Sequence, residues 1–327
     1  MKRMLRWILV VCLAFMTLGQ TVKAQDKKKV MTTFYPVYYL VEQIAGDKVE
    51  VSMLLEGGQG AHGYESTAQD AVKVQEADMF VYLDDEMEYF VSDLLELIHQ
   101  EKTLVVETTK NLDLLAGSNQ ADSEEHEGHE HEDHEHEEHE HEEHEHEDHQ
   151  HEHSHDYDPH TWLDPMFYAK QAENVKEALI ELDPENKEIY EENTKALVEK
   201  LSVLDQEFRS NLETLENRTF VVQHAAFGYL AHAYDLSQVA ITGLNSTQEP
   251  SAKVIAEMQQ FMKDQGSKVI YVDPTMSEDI SNTVASVTQA ELLPLRTLEI
   301  VSQEEIEQGL DYFSMMRDNL QELLKNK

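Results

Sequence analysis

Apolar positions along this chain switch repeatedly between two spacings, every second residue and every third or fourth, which predicts strands interleaved with helices. In the first half, residues 29–39 are β-rich, and Pro36 marks a turn from a strand into a helix around residues 38–45. A second strand is expected over residues 49–55, stopping at the loop signal Gly57-Gly58-Gln59-Gly60. A short helix (68–76), a buried strand (79–83), an amphipathic helix (88–99, with Phe90, Leu94, Leu97 and Ile98 on one side) and a strand (103–106) follow. The second half repeats the alternation. It predicts strand 219–223, helix 224–234, strand 239–242, helix 250–265, strand 268–272, helix 280–290, a short strand near 295–298 and a final helix over 304–324. Each half therefore implies a parallel sheet covered on both faces, and the fold class is α/β with two similar lobes.

Two helices lie between these halves. One begins within Asp158-Pro159-His160-Thr161-Trp162-Leu163-Asp164-Pro165 and runs to about Leu182. The next starts at Pro184, behind the cap candidate Asp183, and continues to about Leu215. Its apolar residues Tyr190, Leu197, Leu201, Leu204, Phe208, Leu212 and Leu215 form one stripe. At 1.5 Å per residue such a helix would be about 45–50 Å long, enough for a rigid spine between lobes. The expected organisation is a leader (1–24), an N-terminal lobe (25–183), a linker helix (184–216) and a C-terminal lobe (217–327).

The apolar pattern vanishes between Asp122 and Asp158. Thirteen of the chain's 18 histidines fall there: His126, His129, His131, His134, His136, His139, His141, His144, His146, His149, His151, His153 and His155. A segment without apolar residues before Tyr157 cannot offset the entropy of ordering its backbone, so disorder is expected. Imidazoles and carboxylates at this density form many interchangeable sites for a borderline-soft divalent cation. The plainer alternative is a solvated acidic linker, but glutamate alone would serve that purpose.

Charge narrows the partners. The formal net charge is −41, of which the tract's 19 acids supply nearly half. Such a chain is repelled by nucleic acid and by anionic membranes, and it attracts cations. The first residues are basic (Lys2, Arg3, Arg6) and then apolar (Trp7 to Leu18), and Val22-Lys23-Ala24 resembles a signal-peptidase site. Export to the periplasm or the outer face of the envelope is expected, with a mature chain starting near Gln25. The single cysteine, Cys12, follows Val11 where a lipid-anchored protein wants a small residue, so a lipid anchor is not favoured. The mature chain then has no disulfide and no thiolate metal site.

Three histidines outside the tract share a placement. His62 and His224 each lie just past a predicted strand, at a strand-to-helix turn, and His160 precedes a helix. Ligands of open α/β sheets bind beyond the carboxyl ends of strands, so facing lobes would bring these three imidazoles into one cleft. Zinc accepts neutral imidazole and prefers four ligands. The fourth is expected at the end of strand 268–272, with Asp273 first, Asp279 in reserve and water a third option. His99 and His232 fall within predicted helices without a partner and read as structural.

Residues 54–78, with Gly57-Gly58, His62, Tyr64-Glu65 and Ala77-Asp78, resemble the first signature of the metal-binding solute receptors of bacterial ABC transporters (cluster A-I). The segments 158–165 and His224-Ala225-Ala226-Phe227-Gly228-Tyr229-Leu230, then Gly243-Leu244 and Glu249-Pro250-Ser251, are similar to the later landmarks. The likeness spans nearly the whole mature chain and is to the zinc-uptake branch, whose members often carry a histidine- and acid-rich loop. It implies two α/β lobes joined by a rigid helix, with metal in the interlobe cleft and His62, His160 and His224 as the first three ligands. Manganese-type relatives tend to have glutamate at the place of His224, and nitrogen there fits zinc better than manganese. Ala61 departs from the family's proline.

The function these expectations describe is an exported, monomeric receptor that delivers Zn²⁺ to an ABC permease and its ATPase, with the tract gathering zinc. Its affinity should fall as pH drops through about 6–7, where histidine takes up protons. The rival readings are a receptor for manganese or another divalent metal, and an envelope metal buffer or adhesin with no transporter. A zinc hydrolase using Glu65 as base is the enzymatic alternative, unsupported by any short ligand-base motif.

Overall fold

In a computed structural model, which describes residues 27–56, 59–99, 101–117, 156–244 and 251–326, the chain forms two parallel four-stranded sheets. The first contains β1 (Lys28–Thr32), β2 (Val49–Met53), β3 (Met79–Tyr82) and β4 (Leu104–Glu107), in the order β2-β1-β3-β4. The second contains β5 (Thr219–His224), β6 (Ser237–Thr242), β7 (Val269–Val272) and β8 (Glu291–Pro294), in the order β6-β5-β7-β8. The two orders are the same pattern. In each, the first strand is interior and the chain reverses direction of growth beside it, the point where a crevice opens at the strands' carboxyl ends.

Burial explains the composition of the inner strands. All four residues of β3 (Met79, Phe80, Val81, Tyr82) and all four of β7 (Val269, Ile270, Tyr271, Val272) are buried. A parallel strand covered on both faces reads as an unbroken apolar run, and these two do. The covering helices of the first lobe are α1 (Tyr35–Ala45), α2 (Ala68–Gln75) and α3 (Phe90–Leu97), and α4 (Pro165–Leu182) follows the tract. Those of the second are α6 (Gly228–Ala233), α7 (Ala252–Gln265), α8 (Asp279–Thr288), α9 (Gln303–Glu307) and α10 (Tyr312–Leu323). No helix among the described residues is long and apolar enough to cross a membrane.

The connecting helix α5 spans Lys187–Leu212, 26 residues and about 39 Å. It is shorter than the sequence suggests, because Pro184–Asn186 form a 3-10 turn and the helix is capped at Glu213. Its buried stripe is Tyr190, Thr194, Leu197, Leu201, Leu204, Asp205, Phe208 and Leu212. One continuous apolar core runs from Val30 and Phe80 through this stripe to Phe220 and Tyr271, so both sheets share it. Three further boundaries shift for identifiable reasons. The strand expected near 295–298 lies at Glu291–Pro294, and Leu295 and Leu298 belong to the segment that leaves it, with their side chains buried in the core. The final helix breaks at Gly309, whose φ of +90° favours glycine, and a new helix starts from the capping box of Asp311 and Ser314. The helix expected from His224 begins only at Gly228. The leader and the thirteen tract histidines lie outside the described residues.

Leu201 is fully buried in α5. Replacing it with alanine should lower the unfolding free energy by about 2–5 kcal/mol, measured by urea denaturation.

Candidate metal centre

His62 stands in the loop between β2 and α2. Tyr64 N–H donates to the Ala61 carbonyl at 3.2 Å, closing a turn around it, and Gly63 takes a φ of +71° that a side chain would disfavour. The loop is tied to α2 through the Tyr64 hydroxyl, which donates to Asp70 at 2.9 Å, and Asp70 also closes the capping box with Thr67. His160 precedes a 3-10 turn (Thr161–Leu163) that leads into α4 through the cap residue Asp164. His224 is the last residue of β5, in register with Thr242. Two loops and one strand end thus converge on a single point.

The fourth contributor is Glu299, five residues beyond β8. Its Oε2 lies 3.8 Å from His62 Nε2, and its Oε1 lies 3.5 Å from His160 Nε2 and 3.6 Å from His224 Nε2. His62 Nε2 and His160 Nε2 are 3.3 Å apart, and one donor atom from each of the four residues lies within 4.8 Å of every other. The edge of a tetrahedron with bonds of 2.0–2.1 Å is about 3.3–3.4 Å, so these separations suit a zinc-sized ion at the centre. His160 is fully buried, and the His224 and Glu299 side chains are each 1 % exposed. Among the described residues, both Glu299 oxygens and His224 Nε2 have no hydrogen-bond partner. Leaving a buried polar atom unsatisfied costs about 1–3 kcal/mol, so three such atoms aimed at one point fit a metal ion as the missing partner. Three neutral imidazoles, one carboxylate and Zn²⁺ would carry a net +1.

Asp273 does not belong to this group, which corrects the fourth-ligand expectation. Its Oδ1 accepts from Thr275 N and Oγ1 (2.8 and 2.6 Å), and its Oδ2 accepts from Thr297 N and Oγ1 (2.6 and 2.7 Å). Four hydrogen bonds occupy the lone pairs a metal would need. Asp279, the reserve, stands at the start of α8 and accepts from the Ser277 hydroxyl. Glu65, the nominated base, is exposed and outside the cluster. A signal for Glu299 does exist in the sequence: it follows the apolar run 292–295, as His224 follows its own strand.

Asp158 orders the centre from behind. Its Oδ1 accepts from His160 N at 3.0 Å and lies 2.9 Å from His160 Nδ1, which turns Nε2 toward the other ligands. Burial alone would depress the His160 pKa, but the Asp158 and Glu299 carboxylates outweigh it and raise the value to about 9. Burial likewise pushes Glu299 upward, yet His62, His160 and His224 hold its carboxyl well below the usual carboxylate range. The ion-free centre is therefore a buried imidazolium–carboxylate pair. Gly228 leaves room for it, since a Cβ there would stand 2.1 Å from Asp158 Oδ2. Gly228→Ala should displace Asp158 and weaken zinc binding about 10–100-fold, the cost typical of losing a ligand's outer partner. Asp158→Asn should do the same, and a chelator-competition titration checks both.

A family model described as "ZnuA: Zinc-uptake complex component A periplasmic" matches residues 30–326. The high-affinity zinc uptake system protein ZnuA of Bacillus subtilis is 39% identical over 307 residues, which cover 94% of this chain and 90% of that protein. The zinc-binding protein AdcA of Streptococcus pyogenes serotype M3 is 38% identical over 308 residues, and the match spans 58% of that longer protein. Among solved structures, the Zn(II)-bound ZnuA-like domain of Streptococcus pneumoniae AdcA superposes with a TM-score of 0.72 at 32% identity, covering 91% of this chain and 98% of that domain. With its paired parallel sheets and its three histidines and one glutamate between them, this chain belongs to the ZnuA family of periplasmic zinc-uptake components.

Proposed function

We propose that the chain is an extracytoplasmic zinc receptor that captures Zn²⁺ through His62, His160, His224 and Glu299. It acts as a monomer and releases the ion to an ABC permease driven by its ATPase. The observation that carries this reading is the set of separations of 3.3–3.8 Å among ligand atoms drawn from both lobes. Three nitrogens and one oxygen favour zinc over manganese, whose preferred partners are hard oxygens. A carrier needs an ion held and surrendered unchanged, and a base beside it would add nothing. Zinc-limited growth tests the whole reading. A strain lacking this gene should fail in chelated medium and recover with the wild-type chain, whereas Glu299→Gln and His224→Ala should not restore growth. Recovery with either variant would contradict the assignment.

The His160 pKa of about 9 moves the pH dependence above the range that free histidine suggests. Zinc must displace the proton on His160, so affinity falls as pH drops below about 9. Without zinc the sign reverses. A raised histidine pKa stabilises the fold fully below about 6.5 and loses that contribution as pH rises through about 9. Calorimetry at pH 7.5 in buffers of different ionisation enthalpy should therefore report about one proton released per zinc bound, and no release would contradict it.

The tract is assigned the role of gathering zinc for the cleft. Its imidazoles and carboxylates offer many interchangeable sites in place of one buried four-ligand centre, so each is weaker than the cleft. Deleting residues 124–155 should lower zinc stoichiometry while preserving one tight site, read by the same titration. Loss of the tight site would place the primary ligands in the tract.

A further inference from the structure

Among the described residues the Glu299 carboxylate has no hydrogen-bond partner, which leaves its ion pairing with the histidines and the backbone that presents it to set its position. That backbone is anchored residue by residue. Leu295 N–H donates to the Val272 carbonyl at 2.8 Å, and Arg296 exchanges two hydrogen bonds with the Asn319 amide at 2.8 and 2.7 Å. Thr297 is gripped from both sides: its N–H and hydroxyl donate to Asp273 Oδ2, and its carbonyl accepts from Trp162 Nε1 at 2.7 Å. Leu298 then adopts a φ of +64°, a left-handed conformation that a bulky side chain keeps only when its surroundings impose it. That turn aims Glu299 into the cleft.

We propose that Asp273 is a positioning residue for the metal centre, clamping Thr297 so that Glu299 stands at the spacing of a small four-coordinate ion. The inference rests on the zinc-receptor reading and adds to it a determinant of which ion is held. Asp273 is 4% exposed and closes β7 to the Glu299 loop, with one oxygen fixing Thr275 on its own side and the other fixing Thr297. The carboxylate is the group this position requires. An asparagine would turn an N–H₂ donor toward either the Thr275 or the Thr297 donors, and one backbone N–H would lose its acceptor. With the clamp released, the strained turn at Leu298 can relax and Glu299 can retreat. The site would then admit solvent and ions that prefer more ligands.

The full chain, wild type and as Asp273→Asn and Thr297→Val, would be titrated with Zn²⁺ and Mn²⁺ and its visible spectrum recorded with Co²⁺. The wild type should give the intense bands of four-coordinate Co²⁺. Both variants should bind zinc about tenfold or more weakly, the scale of an outer-partner loss, with a reduced Zn²⁺/Mn²⁺ affinity ratio and Co²⁺ bands weakened toward higher coordination. A lowered melting temperature with wild-type spectrum and selectivity would overturn the proposal, as would unchanged zinc affinity in both variants. Should Asp273→Asn fail to fold, Thr297→Val decides, because it keeps the backbone bond and loses only the hydroxyl. Glu299→Gln separates the two levels. Undiminished zinc binding in that variant removes the receptor reading, whereas its loss beside normal binding in Asp273→Asn and Thr297→Val removes only the clamp.

Discussion

A carboxylate buried among three imidazoles is the constraint around which this molecule is built. Glu299 sits 2% exposed with neither oxygen hydrogen-bonded among the described residues, a placement that is costly unless a positive charge stands beside it. Without metal the proton on His160 supplies that charge, and with metal the ion does. Proton and ion thus compete for the same place. The outer groups follow from this need: Asp158 keeps His160 basic and turned inward, and Gly228 leaves room for Asp158.

The architecture brings such groups together from remote points in the chain. Each lobe opens its crevice at the carboxyl ends of its strands, and the ligands hang on the segments that leave those ends: after β2, after β4, at β5 and after β8. Because the two sheets share one apolar core through α5, wide hinge opening would expose much of that core to water. Contacts across the cleft add to this. Trp162 donates to the Thr297 carbonyl, and Tyr312 donates to the Trp162 carbonyl at 2.8 Å. Rotation of whole lobes is therefore a costly route for ion entry and release.

Much of this was legible in the linear pattern, and the exceptions have physical reasons. The strands Met79–Tyr82 and Val269–Val272 announce themselves because burial on both faces demands unbroken apolar runs. The three histidines were identifiable by their place beside strand ends and by the motifs around them. Glu299 was missed although it stands past the apolar run 292–295, because leucines 295 and 298 mimic a strand while they lie in the segment beyond it with their side chains in the core. The same mimicry made Asp273 look like a ligand: it does follow a strand at the right edge of the sheet. Its oxygens are turned to threonines 275 and 297 by a contact between remote segments, which no local spacing encodes.

Zinc K-edge X-ray absorption fine structure, taken at one equivalent of Zn²⁺ on a chain without residues 124–155, tests the central claim most directly. Three imidazoles and one carboxylate about 2.0–2.1 Å from the ion, with the oxygen shell altered by Glu299→Gln, are predicted. Two or fewer imidazoles, or a six-coordinate oxygen shell, would contradict the account.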